Sequence, residues 1–171
     1  MQKARKLADN VKGLEDIPGI VNSIVTDPGK GRRKEVGALN RSAFVLLCAH
    51  LQGFVEDLHR EVANAVLAGK VKNIEKVVKQ AKQNANPHPD IIEKMFNGIG
   101  IFEVMDGVFW QKTSNDTVRK KLTASIGVRN NIAHGSQEAI SKQRVTGLKN
   151  FVQRLAEKLD EKVTSQIKSL K

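Results

Sequence analysis

The sequence predicts an all-α fold, a bundle of about five to seven helices. Three observations lead to it. Apolar residues recur at spacings of three and four over long stretches, which lays a single stripe along a helix. No stretch shows the strict alternation of a half-buried strand. Glycines and prolines fall between the periodic segments, where helices have to stop.

The strongest segment runs from about Ser42 to Leu67, with Phe44, Leu47, Leu51, Phe54, Leu58, Val62 and Val66 on one face. Ser42 reads as its N-cap and Gly69 as its stop. Val71, Ile74, Val77, Val78 and Ala81 mark a second helix, with Lys72, Lys76 and Lys79 on its wet side. NPHPD at 86–90 is a break, because each proline turns its predecessor away from the helical region. Asp90 then reads as the cap of a helix carrying Ile91, Ile92, Met95, Phe96 and Ile99, and glycines 98, 100 and 107 predict a kink or two pieces beyond it. Ser114 or Asn115 caps a helix with Val118, Leu122 and Ile126 on one face. The last helix is expected to start near Ser136 or Glu138 and to run through Val145, Leu148, Val152, Leu155, Leu159 and Val163, fraying at its end. Over the first 40 residues a short helix at about 2–14 is expected, with IPG, DPG and KGRRK as loops.

At 171 residues with 40% hydrophobic content the chain is sized for one domain, residues 1–171, with a core at 41–155 and residues 1–40 as an N-terminal extension. The net charge of +11 suits a polyanion, RNA or DNA before an anionic membrane. The basic excess is concentrated at 1–41, 70–82, 112–121 and 140–171, while 42–69 and 83–111 are net acidic. One cysteine, Cys48, excludes an internal disulfide and a cysteine-built metal cluster, and is consistent with a reducing, cytoplasmic location. The longest apolar run, AFVLLCA, falls far short of the ~20 residues a membrane helix needs. With no tyrosine and 4% aromatic residues, an RNA platform built on stacking is disfavoured.

Phosphate-loop, dinucleotide and zinc patterns are missing, so neither a cofactor nor a metal is expected. His50 and His59 lie nine apart, not at the i, i+4 spacing of a helical metal pair, and read as surface or interface contacts. Cys48 reads as a small core residue, His88 as a loop residue, and Trp110 with Val108, Phe109 and Phe102 as core or dimer contact.

The dense polar cluster is RNNIAHG at 129–135. Arg129 and His134 stand five apart, an offset of about 140° after one full helical turn, with Asn130 and Asn131 between them. A guanidinium matches phosphate oxygens as a planar fork and keeps its charge. Histidine is the side chain whose charge changes near neutral pH. Together they suit RNA cleavage without a metal: His134 as general base on the ribose 2′-hydroxyl, Arg129 stabilising phosphoryl charge. A plainer reading stands beside this one, in which Arg129 and Asn131 close a helix junction and His134 caps carbonyls before Gly135.

R-x4-H, with Asn after the arginine and Gly after the histidine, late in a small helical chain, resembles the HEPN superfamily. RSAFVLLCAHLQGFVEDL at 41–58 resembles the long second helix of its RiboL-PSP-associated members. The resemblance covers about 41–155. It implies a metal-independent endoribonuclease, often a toxin of a toxin–antitoxin or phage-defence system, or else a non-catalytic nucleotide-, RNA- or partner-binding module. It further implies a homodimer bringing two motifs into one cleft, RNA as substrate, a possible antitoxin partner, Arg129 and His134 as the catalytic pair, and Asn130 as the residue orienting them. Two departures stand out. Ser136 occupies the place of a tyrosine that some family toxins expose to nucleotide modification, and Gln52 that of an acidic residue on the long helix, leaving two alternatives: Glu56 one turn on substitutes for it, or the accessory role is absent.

Overall fold

A computed structural model describes residues 33–82 and 86–169, with side chains for 36–81 and 86–169. The expected helix at 2–14 and the IPG and DPG loops lie outside the described residues. Five helices are present: α1 (Arg33–Leu67), α2 (Ile74–Lys82), α3 (Pro89–Asn97), α4 (Asn115–Ala133) and α5 (Lys142–Ser169). Among the described residues there is no strand, only an isolated bridge between Trp110 and Thr113. Among the described residues the fold is all-α, as expected. No helix of the described residues is long and apolar enough to cross a membrane.

Contacts group the described residues into two compact units, those up to His50 with 127–153, and those from Leu51 to Ile126 with 154–169. In the first, Ala43, Phe44, Leu47 and Cys48 of α1 are buried, as are Ile140 and Val145, Leu148, Phe151 and Val152 of α5. In the second, the core draws on Leu51, Val55 and Val62 of α1, Ile92 and Phe96 of α3, Leu122 of α4, and Leu155 and Leu159 of α5. The stripes anticipated on α1, α3, α4 and α5 supply the buried faces, whereas of the stripe read for α2 only Val78 is buried and Val71 is exposed; burying each large apolar side chain contributes roughly 1.5–3 kcal/mol.

Helix boundaries moved where local chemistry overrode the caps read from sequence. α1 begins at Arg33, so the last two residues of KGRRK are helical. Ser42 is interior, and its hydroxyl donates to the Ala38 carbonyl at 3.1 Å, the back-bond of a mid-helix serine rather than a cap. α2 starts at Ile74, because Asn73 accepts the Lys76 amide at 3.0 Å and so caps the helix past Val71. α3 opens with Pro89 in its first turn, where a missing amide costs nothing. His88 holds the extended cap geometry (φ −71°, ψ 146°) without a side-chain bond, leaving Asp90 within the first turn. Ser114 caps α4, accepting the Thr117 amide. Ser141 caps α5, accepting the Arg144 amide at 3.1 Å, so that helix starts later than expected and 134–141 is a connection.

Beyond Asn97 the chain is irregular, not a kinked helix. α3 closes where Ile101 donates to the Phe96 carbonyl and Gly100 to that of Asn97, with Gly100 at φ +80°. The 98–114 segment is then held by side chains. Glu93 accepts the Val104 and Met105 amides at 3.1 and 2.9 Å. Arg119 bridges Glu93 and Asp106 at 2.9 and 2.7 Å. Asn115 donates to the carbonyls of Met105 and Val108, and Gln166 to that of Phe102. This frame buries Val108 but leaves Phe102 and Phe109 61% and 62% exposed, so of the two roles read from sequence, core or dimer contact, these two side chains do not fill the first.

His59 also corrects an expectation. It is 1% exposed in the second unit, edge-on to Phe96 at 5.5 Å, instead of lying at the surface. Burial pushes its pKa below the ordinary histidine value, with the Met95 backbone opposing in part. The unfolded chain therefore binds the proton more readily, and stability is lost as pH falls below about 6.5. Urea unfolding between pH 7.5 and 5 should show that decline, and His59→Phe should flatten it; an unchanged slope would show that His59 does not govern it.

Candidate functional site

All four residues of the polar cluster lie at the C-terminal end of α4. The helical ladder continues into the His134 amide, which donates to the Asn130 carbonyl at 3.0 Å. Gly135 then donates to Ile132 and Ser136 to Asn131, at 3.0 and 2.9 Å. These are the five-to-two and six-to-one bonds of a Schellman end, with Gly135 in the left-handed position at φ +90°. His134 is therefore the C-cap, the residue that follows Ala133 at the end of α4. The carbonyls are capped by the backbone of Gly135 and Ser136, not by the imidazole, as the plainer reading required.

Arg129 is half-buried, and one guanidinium nitrogen donates to Asn130 Oδ1 at 3.0 Å. Its charge reaches Cys48. Burial pushes that thiol up to about 12, and the guanidinium opposes the rise. A thiol so raised is a core group, not a nucleophile. Asn130 is half-buried and Asn131 exposed, the latter donating to Glu138 Oε1 at 2.9 Å. His134 is exposed, and its imidazole makes no hydrogen bond or ion pair among the described residues. Half of the cluster is thus braced internally and half faces outward.

Two residues that the sequence reading missed fix the chain beyond the cluster. Asn40 of α1 is 4% exposed and donates to the Ile140 carbonyl at 3.0 Å. Glu138 holds Asn131. A signal for Asn40 existed, since it falls one turn before Phe44 on the apolar stripe, where a polar side chain needs a reason. Glu138 was read only as a possible start of the last helix, and nothing in the sequence tied it to Asn131.

Gln52 donates to Glu56 at 3.0 Å, so the two long-helix residues form a pair with each other within the second unit. Among the described residues no group of three or more His, Cys, Asp or Glu is placed to hold a metal.

A sequence model of the family described as RiboL-PSP-HEPN matches residues 5–165, a wider span than the 41–155 over which the resemblance was read. No curated protein matches the chain. No solved structure matches it.

Proposed function

The chain belongs to the RiboL-PSP-HEPN family, and on that premise we propose that it is a metal-independent endoribonuclease acting through Arg129 and His134. The observation that carries this reading is the division of labour at the end of α4: a half-buried arginine held by Asn130, and an exposed histidine without a side-chain partner among the described residues. His134 takes the proton of a ribose 2′-hydroxyl, and that oxygen attacks the adjacent phosphorus. The bond from phosphorus to the 5′-oxygen breaks, and the leaving oxygen takes up a proton. The products are a 2′,3′-cyclic phosphate and a 5′-hydroxyl. Arg129 holds the phosphoryl oxygens as negative charge grows on them.

One chain offers one imidazole from this cluster, whereas the reaction needs a base and an acid. A two-fold homodimer, the commonest closed assembly, supplies both by placing two clusters in one groove. The basic stretches are the electrostatic component of RNA binding, and a toxin held in check by an antitoxin is the physiological setting that fits such an activity.

The test is incubation of the full chain with RNA. Cleavage should leave cyclic phosphate ends, persist in EDTA, and fail on a strand with deoxyribose at the scissile position. Loss of activity on chelation, or cleavage of the deoxy substrate, would sink the 2′-hydroxyl mechanism. A non-catalytic binding module is the second reading. Its supporting observation is that Asn131 and Arg129 already have intramolecular partners. Salt-sensitive RNA binding without any cleavage would favour it.

A further inference from the structure

The structure describes six arginine side chains, and the two units hold them differently. In the second unit every one of them has a carboxylate. Arg60 meets Asp57 at 2.9 Å, Arg119 meets Glu93 and Asp106 at 2.9 and 2.7 Å, and Arg154 meets Glu157 at 3.0 Å. In the first unit Arg41, Arg129 and Arg144 meet neutral groups and form no ion pair with a described residue. Glu138, the one carboxylate described there, is taken by the Asn131 amide. The three guanidinia of that unit also follow one line. Gly37, Phe44 and Cys48 lie within about 40° of one another around α1, at steps of about 10 and 6 Å along it. The Arg41 Nη1 lies 3.6 Å from where a Cβ on Gly37 would stand. Arg144 of α5 stands over the Phe44 ring, 5.7 Å from its centre. Arg129 of α4 is close enough to Cys48 to oppose the rise of its thiol pKa. Asn40, one turn before Phe44, fixes the start of α5 beside this face through the Ile140 carbonyl at 3.0 Å.

Like charges in a row repel one another, and no described carboxylate of the first unit neutralises these. A phosphate backbone does, because its own charges are spaced along a strand. The ring beneath Arg144 braces the guanidinium and leaves its N–H groups for an outside acceptor. We propose that Arg144 and Arg41 bind phosphates further along an RNA strand whose scissile phosphate lies at Arg129, so that the strand follows α1 across the first unit. Neither residue touches a reacting atom. Both are positioning residues that set which phosphate meets His134. This rests on the assignment of cleavage to Arg129 and His134, and adds to it the register in which the strand is held.

Binding of the full chain to a short single-stranded RNA, 2′-O-methylated throughout so that it cannot be cut, would be followed by fluorescence anisotropy over a range of salt. Arg144→Gln and Arg41→Gln should each weaken binding severalfold. Each should also reduce the slope of log affinity against log salt by about 0.7, one phosphate's share on a single strand. Arg144→Lys should restore the slope, because it restores the charge. Arg60→Gln, at an ion-paired surface position of the second unit, should change neither quantity. With unmodified RNA, Arg144→Gln should raise KM severalfold and leave kcat nearly unchanged, whereas His134→Ala lowers kcat. A methylphosphonate, which removes one phosphate charge, placed beside the mapped cleavage site should weaken the parent and not Arg144→Gln. Salt slopes equal to the parent's in both glutamine variants, an equal loss in Arg60→Gln, or no binding by the parent would overturn the proposal. The first two results leave the cleavage reading standing if the parent still cuts RNA. Slopes reduced as expected in a parent chain that cuts nothing would keep the phosphate contacts and remove the cleavage reading.

Discussion

His134→Ala is expected to lower the rate of RNA cleavage by about two to four orders of magnitude, the usual contribution of a general base, with thermal stability and RNA affinity almost unchanged. The reason is structural. The imidazole is exposed and bonds to no described side chain, and the amide that continues the helix survives the substitution. Arg129→Ala should behave differently. It removes a charge that attracts phosphate in both ground and transition states, so cleavage and affinity fall together. It also removes the bond to Asn130. Arg129→Lys should recover part of the affinity but little of the rate, because an ammonium lacks the planar fork. Single-turnover cleavage, filter binding and melting curves on the same preparations separate these effects. If His134→Ala unfolds the protein, or cleaves as fast as the parent, the histidine is not the base.

Glu93→Ala is the substitution expected to cost most in stability outside the apolar core, about 2–4 kcal/mol from two amides losing their acceptor and an arginine losing one of its carboxylate partners. Its carboxylate accepts from Val104, Met105 and Arg119 at once. Glu93→Gln, which keeps one acceptor oxygen, should cost less. Urea unfolding of the two variants against the parent tests the order, and equal stability of all three would show that the carboxylate holds nothing.

Much of this architecture could be read from spacing alone, because burial follows period. Phe44, Leu47, Leu51 and Leu58, or Leu148, Leu155 and Leu159, sit where the stripe placed them. What spacing could not give was the choice among competing caps. Ser42 and Asn73 are both good N-cap residues, and only the continuation of the helix on either side decides which one serves. The order of the 98–114 segment comes from Glu93, Asn115 and Arg119, side chains on the helices that flank it, and hydrophobic spacing within the segment carries no trace of those bonds. His59 was misassigned because its polar neighbours on the chain say nothing about the helix face it occupies. The Arg129–His134 cluster was visible as a string of letters, but its division into a braced half and an outward half depended on Asn130, Glu138 and the turn at Gly135.

The ties at Asn131 and Asn40 have a consequence for how the chain can vary in length. From the end of α4 to the start of α5, the connection is pinned by the Ser136 amide on Asn131, by Glu138 on the same residue's side chain, and by the Ile140 carbonyl on Asn40. Between successive pins only one residue, Gln137 and then Ala139, lies free of these three bonds. The connection therefore has no slack to absorb an insertion or deletion without breaking at least one tie. Tags, fusion junctions and permuted termini placed there would be transmitted directly to the helix end that carries His134.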